Sequence, residues 1–227
     1  MRRFAALLFA ALVLCSCSVI RNEASVANFL NEPIIAEHGA EHSFGEEFKR
    51  IISVISYNGV ELASFSDPKT VSEQYRDRIL SYLVNTGYSK YTGNSAKIKE
   101  AEKKYPKMRI SVLVPIEDFE YTVYSNFGGA KNVSHRGGAV FTYLPKVEGY
   151  TAVGQVSASA ATVELVNVKE TQNTFIVSFY TCFGGTYSPL YRGVFVKRED
   201  GTVYLGKLDR VADAKITVPK GTGLQEK

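Results

Sequence analysis

One group of residues in the sequence has metal-binding spacing, His38-Gly39-Ala40-Glu41-His42. Two histidines four positions apart share one face of a helix and can hold a zinc ion, while the glutamate can act as a general base for hydrolysis. Gly39 weakens a helix at this point, and the flanking residues lack the apolar stripe that would pack one. We therefore interpret the candidate ligands His38, Glu41 and His42 as parts of an exposed polar segment, and we predict no metal and no cofactor.

A second polar group lies in the glycine-rich loop 128–138, which carries Lys131, Asn132, His135 and Arg136. Amide and cationic groups between glycines could hold an anionic or sugar-like ligand, and Tyr187 and Arg192 offer similar chemistry in a later loop. No helix pattern follows the first loop, so it is not a phosphate-binding P-loop. The alternative interpretation is an ordinary exposed turn.

The sequence does not contain a catalytic set. No carboxylate is spaced beside His135, so a Ser-His-Asp or Cys-His arrangement has no support. Glu117 and Asp118 are adjacent, and adjacent residues of a strand point to opposite faces, whereas a glycosidase needs two carboxylates that converge across a cleft. We interpret this pair as a turn, and a binding protein is favoured over an enzyme.

Residues 1–17 have the order of an export signal. Arg2 and Arg3 give a basic start, residues 4–14 form an uncharged apolar run too short to span a bilayer comfortably, and Leu14-Cys15-Ser16-Cys17 closes the segment. This ending resembles the lipobox of bacterial lipoproteins, in which a cysteine follows a branched apolar residue at −3 and a small residue at −1. The resemblance implies that residues 1–16 are removed and that Cys17 carries lipid such as palmitate.

Two other interpretations of this segment stay open. Cleavage near Ser16 or Ser18 would release a soluble secreted protein, and retention of the segment would give a marginal membrane anchor. In the lipidated form Cys182 is the remaining cysteine, so no intrachain disulfide can form, and we predict that it is a small buried apolar side chain. The net charge of +4 falls to about +2 without the two arginines, which is too low to indicate nucleic-acid binding.

Composition and turn signals divide the mature chain into a tether over residues 17–45, one domain over residues 46–219 and a loose tail over residues 220–227. Apolar periodicity predicts helices over residues 46–56, 68–84 and 95–105. Aromatic and β-branched runs predict strands over residues 109–114, 119–127, 139–144, 162–168, 175–182, 193–198 and 202–208. Helices followed by strands indicate an α+β fold, with N-terminal helices packed on a twisted antiparallel sheet. This order resembles the cone-like folds related to nuclear transport factor 2.

Two segments of the chain, residues 119–137 and 175–193, resemble each other. They share seven identities over 19 positions, including a Phe-Gly-Gly triplet and a later Arg-Gly pair. One interpretation is a structural repeat of two hairpin-like units, in which the paired glycines permit positive φ at each turn. The other is the chance recurrence of aromatic strands and glycine turns in a β-rich chain.

These observations favour a membrane-anchored, extracytoplasmic lipoprotein that acts as a non-catalytic binding or envelope-assembly module. Its expected partners are the membrane, through lipid on Cys17, and an envelope protein or glycan. Val19 rather than Asp stands at position +2 after Cys17, which resembles the outer-membrane pattern if the host is a diderm. The alternatives are an enzyme that acts on cell-wall or surface glycans and a carrier of a small ligand.

Overall fold

The computed structural model describes residues 26–93, 95–128, 133–152, 156 and 159–211. The helices within these ranges are α1 (Gly45–Ile55), α2 (Val71–Gln74), α3 (Arg76–Thr86), α4 (Tyr88–Tyr91), α5 (Ala96–Lys104) and α6 (Ile116–Phe127). Short 3-10 turns form at Val26–Phe29, Pro68–Thr70 and Pro145–Val147. No helix in the described part of the chain is both long enough and apolar enough to cross a membrane.

The strands form two antiparallel sheets. They are β1 (Ala36–His38), β2 (Val114–Pro115), β3 (Phe141–Leu144), β4 (Gly149–Ala152), β5 (Thr162–Glu170), β6 (Thr174–Phe183), β7 (Thr186–Tyr187), β8 (Tyr191–Lys197) and β9 (Val203–Arg210). The larger sheet has the order β1-β5-β6-β8-β9, with β7 paired to β6, and the smaller one has the order β2-β4-β3. The predicted α+β class with a mainly antiparallel sheet is confirmed.

Helices α1 and α6 pack on one face of the larger sheet, whereas α5 packs with Leu113 and Leu144 in a separate apolar cluster. In α1, Phe48, Ile51, Ile52 and Ile55 are all fully buried, as the periodicity predicts. The ring centroid of Phe48 lies 4.6 Å from that of Phe195 on β8 and 5.4 Å from that of Phe175 on β6. This contact joins the first long helix to the centre of the sheet.

Two of the helical segments begin with a side-chain N-cap. The Asp67 carboxylate accepts the backbone N–H of Lys69, and the Ser95 hydroxyl accepts that of Ile98. The single helix predicted over residues 68–84 is instead divided into a 3-10 turn, α2 and α3. The division falls at Tyr75, whose buried hydroxyl donates to the carbonyl oxygen of Ala63.

The predicted strand over residues 119–127 is wrong, since this segment forms most of α6. Its alternating aromatic residues fit a strand, but Phe119, Val123 and Phe127 are also spaced four apart, and all three are fully buried on one helix face. Gly128, with φ of 73°, follows the last turn. Of the two interpretations of the similar segments, the structural repeat is therefore excluded and chance recurrence is favoured, because the second segment is a true strand and turn, β6–β7.

The strand predictions at 139–144, 162–168, 175–182, 193–198 and 202–208 match β3, β5, β6, β8 and β9 in type and approximate position. Of the predicted strand 109–114, only its last residue lies in a strand, the two-residue β2. No strand was predicted at β1, β4 or β7, each of four residues or fewer. Such short strands carry too little alternation to stand out.

Residues 26–45, which the sequence analysis placed in the tether, belong to the folded domain. Val26 and Phe29 pack with Val194, Val196 and Tyr204 on the face of the sheet that is turned away from the helices. Glu32 then accepts hydrogen bonds from Thr171 and Asn173 at the β5–β6 turn. Burial by itself raises the pKa of Glu32, but these bonds outweigh it and the pKa lies below its usual value. Residues 1–25 and 212–227, with the predicted signal, Cys17 and the tail, lie outside the described residues.

Candidate functional site

His135 lies in a hydrogen-bonded cluster between α6 and the smaller sheet. Its Nε2 atom is 3.0 Å from Oε1 of Glu120 on α6, and its Nδ1 atom is 2.8 Å from the hydroxyl of Tyr150 on β4. The ring also stacks on Tyr143 of β3, with 5.5 Å between the ring centroids. The carboxylate that the sequence analysis did not find beside His135 is therefore Glu120.

Arg76 of α3 also belongs to this cluster and contacts both Tyr150 and the loop that carries His135. The side chain is 4% exposed, and one terminal nitrogen donates to the carbonyl oxygen of Ser134 at 2.9 Å. The guanidinium also interacts with the hydroxyl of Tyr150, while its Nε atom has no hydrogen-bond partner among the residues that the structure describes. These contacts of the buried guanidinium hold the loop that carries His135 against α3.

The order carboxylate, imidazole and hydroxyl is that of a nucleophilic triad, with a phenol in place of serine. Tyr150, however, is fully buried, so its oxygen does not face a space that a substrate enters. Burial raises the pKa of Tyr150 to about 12, which keeps the phenol protonated at neutral pH. Both ring nitrogens of His135 are also held within the fold, and the arrangement is suited to positioning the loop.

Two further contacts hold the same loop. The Asp77 carboxylate accepts the backbone N–H groups of Ala139, Val140 and Phe141 at 2.8, 3.1 and 3.3 Å. Arg136 lies 3.5 Å from the Glu73 carboxylate in an exposed ion pair. The predicted ligand residue Arg136 thus has its own acidic partner, and Lys131 and Asn132 lie outside the described residues.

The other two predicted ligand residues lie in a different part of the molecule. The Tyr187 hydroxyl donates to Glu164 at 2.9 Å, next to the outer face of the larger sheet. Arg192 is exposed on β8, where it pairs in register with Asp209 and Ser178. The contacts of these residues are with the larger sheet, whereas those of His135 and Arg136 are with helices α2 and α6 and strands β3 and β4. The candidate ligand residues therefore lie in two separate regions, and Arg192 lies in a strand and not in the predicted loop.

A pocket of about 400 Å³ opens between α5, the turn at Pro145–Val147 and the start of α6. Its charged lining residues are Lys97, Glu100, Lys104, Glu117, Lys146 and Glu148. Lys104 pairs with Glu100 at 2.7 Å, and Glu148 has a left-handed backbone with φ of 47°. Glu117 was predicted to lie in a turn before a strand but lies in the first turn of α6. Its negative charge there interacts favourably with the positive end of the helix dipole.

The two histidines of the His38–His42 segment lie together at the edge of the larger sheet, with ring centroids 4.7 Å apart. Their acidic neighbour is Glu170 of β5, whose Oε2 atom is 3.5 Å from Nε2 of His38. Glu41, the carboxylate of the sequence pattern, is exposed. Burial and, to a smaller degree, the neighbouring His38 lower the pKa of His42. His38 ends β1 and shares no helix with His42, in keeping with the weak helix pattern around Gly39. The prediction of an exposed segment is wrong for the two histidines, which are both partly buried.

Cys182 is half-buried on β6 and is a free thiol. It therefore lies in β structure, as predicted, but is less enclosed than a core residue.

Comparison of the chain with protein-family models, with curated proteins and with solved structures finds no significant match.

Proposed function

We propose that this protein is a lipid-anchored extracytoplasmic lipoprotein that acts as a non-catalytic binding or assembly module of a bacterial envelope, facing the periplasm or the cell exterior. The observation that carries the proposal is the order of charge, apolar run and Cys17 in the first residues. The hydrogen bonds of both His135 ring nitrogens within the fold support a positioning role for this histidine, which favours a non-catalytic module. The order of helices and sheet also supports, as part of this proposal, a cone-like curvature related to that of nuclear transport factor 2.

The distance between the proposed anchor and the fold is short. Val26, the first described residue, follows Cys17 by nine positions and already packs on the sheet. Nine residues reach at most about 30 Å when fully extended. A domain held in this way works close to the membrane surface, so its partner is expected there too. In a diderm host, Val19 after Cys17 supports the outer membrane as that surface.

An exposed tyrosine surface on the helices supports binding to a protein or glycan. We define it as Tyr88 of α4 with Tyr121 and Tyr124 of α6, which are 66%, 71% and 42% exposed. Lys90 of α4 pairs with Asp118 of α6 at 2.8 Å, which places the two helices side by side. Tyrosine is enriched in binding surfaces because it offers a large contact area at low conformational cost.

Replacement of Cys17 tests the anchor. We expect Cys17→Ser to abolish incorporation of labelled palmitate and to release the protein from washed membranes, because the thiol is the only proposed site of acylation. Cys15→Ser is the matched control, since it alters a cysteine two positions away and is expected to retain labelling. Unchanged labelling and membrane retention of Cys17→Ser would contradict the proposal and favour a retained apolar segment.

Cross-linking in the native envelope, followed by mass spectrometry, tests the binding role. We expect a recurrent cross-linked species whose yield falls about tenfold in Tyr121→Ala, by analogy with the loss of a central interface tyrosine. Tyr187→Ala, in the remote β6–β7 hairpin, serves as the control and is expected to keep the wild-type yield. A loss confined to the Tyr187 variant would move the binding surface to the hairpin and overturn the role of the tyrosine surface.

A glycan-acting enzyme is the second candidate function, because Glu117 and Glu148 line the same pocket. Paired carboxylates in a cleft are the groups that glycoside hydrolysis needs. Hydrolysis of purified cell-wall glycan by the wild-type protein, lost in Glu117→Gln and in Glu148→Gln, would replace the non-catalytic proposal. The pocket is charged and open to solvent, so it does not favour a carrier of an apolar ligand.

A further inference from the structure

Strand pairing brings His38, His42 and Glu170 together at one edge of the larger sheet. In the β1–β5 ladder Ala36 lies opposite Glu170, and His38, two positions on, points to the same face. The chain then turns, and His42 returns over the sheet just before α1. The His42 ring contacts Phe48 and Phe175, with centroids 5.8 and 5.2 Å away. Each of the three side chains is only partly exposed.

The donor atoms of these side chains converge. One nitrogen of each ring and one carboxylate oxygen of Glu170 all lie within 4.8 Å of one another. The Nε2 atom of His38 is buried, and the nearest acceptor in the described part of the chain is Oε2 of Glu170 at 3.5 Å, which is long for a hydrogen bond. A buried imidazole nitrogen paired this loosely, beside a second imidazole and a carboxylate, is an unusual arrangement unless another group completes it.

We propose that His38, His42 and Glu170 form a binding site for a divalent transition metal ion, with zinc as the representative ion. Two imidazoles and one carboxylate are the ligand set of three-residue zinc sites, in which water takes the fourth position. Zinc bonds of about 2.0–2.2 Å require donor atoms about 3.4 Å apart in a tetrahedron. The side chains must therefore close by up to about 1.4 Å when the ion binds.

Lys197 orients the carboxylate of the proposed site. Its ammonium donates to Oε1 of Glu170 at 2.6 Å and to the carbonyl oxygen of Thr171 at 2.8 Å. The other carboxylate oxygen, Oε2, is thereby turned towards His38. Such an outer contact fixes the direction of a metal ligand, although the lysine charge also opposes the ion and limits its affinity.

Metal binding has a specific structural consequence at Phe44. The backbone N–H of Phe44 donates to Nδ1 of His42 at 3.1 Å, so the proton of the neutral ring resides on Nε2. Coordination through Nδ1 would take the lone pair that this N–H uses. Coordination through Nε2 would move the ring proton to Nδ1 and oppose the same N–H. Either ring nitrogen therefore gives up the Phe44 hydrogen bond when the ion binds.

Zinc titration of the full chain, purified in detergent, tests the site by calorimetry. We expect one zinc ion per chain, with affinity reduced more than about tenfold in His38→Gln and in Glu170→Gln. Glu41→Gln is the matched control, because it removes the carboxylate of the sequence pattern but not of the structural cluster, and it is expected to bind as the wild type does. His135→Gln controls for loss of a histidine elsewhere.

Amide resonances of chain labelled with ¹⁵N-phenylalanine give a second readout, and the Phe44 signal is expected to shift on addition of zinc. Thermal melting of each variant without zinc identifies any that fail to fold. If either His38→Gln or Glu170→Gln fails to fold, the other variant carries the test. No binding by the wild type, unchanged affinity in Glu170→Gln, or equal loss in Glu41→Gln would overturn the proposal. None of these outcomes bears on the anchor or on the tyrosine surface.

Discussion

Replacement of Phe48 by alanine is expected to lower the free energy of unfolding by about 3–5 kcal/mol, the usual range for removing a fully buried phenylalanine. Phe48 is 0% exposed and contacts Phe44, Phe175 and Phe195. Its neighbours are held by α1 on one side and by β6 and β8 on the other. The cavity left by the ring therefore cannot collapse without separating the helix from the sheet.

Urea unfolding followed by circular dichroism measures this effect. Tyr121→Ala is the control, because 71% of that residue is exposed and its removal is expected to change stability by less than about 0.5 kcal/mol. A loss of less than about 1.5 kcal/mol in Phe48→Ala would show that the contact between α1 and the sheet is not tightly packed, contrary to the structure.

Removal of the Tyr150 hydroxyl, in Tyr150→Phe, is expected to destabilise the protein by about 1–3 kcal/mol. The hydroxyl is buried and bonds Nδ1 of His135 at 2.8 Å, so its loss leaves a partly buried imidazole nitrogen without a partner. It also removes a contact of the buried Arg76 guanidinium. An unsatisfied buried polar group costs this much because it has lost its water as well.

Tyr143→Phe provides a matched control within the same cluster. Tyr143 stacks on His135 through its ring, and this contact is kept in the variant, so we expect nearly wild-type stability. Adding His135→Gln to each variant gives the interaction energy between His135 and each tyrosine. We expect this energy to be larger for Tyr150 than for Tyr143. Equal effects of the two tyrosine changes would mean that the Tyr150 hydroxyl contributes nothing specific to holding the loop.

The parts of the fold that depend on local pattern could be predicted from the sequence. The helix over residues 46–56 follows from apolar residues that recur only at helical spacing. Residues 119–127 satisfy two periods at once, because Phe119, Tyr121 and Val123 alternate as in a strand while Phe119, Val123 and Phe127 align on a helix. Burial on one helix face decided between them, and burial is a property of the whole fold.

The candidate sites depend on contacts between residues far apart in the chain. Glu120 contacts His135 because α6 is a helix. Since this segment was predicted to be a strand, the contact could not be predicted. Glu170 lies 132 positions from His38, and only the pairing of β1 with β5 brings them together. One local signal was present, since Ile34-Ile35-Ala36 is an apolar run ahead of His38, and such a run can indicate a short edge strand.

The docking of Val26 on the sheet has a consequence for binding strength. A domain that stays within about 30 Å of its proposed anchor meets membrane-bound partners in a thin layer at the membrane surface and not throughout the solution. Confinement to this layer raises the occupancy of a weak contact above that of the same two proteins free in solution. We therefore expect the proposed tyrosine surface to bind a membrane partner more fully in the anchored protein than in the same domain released into solution.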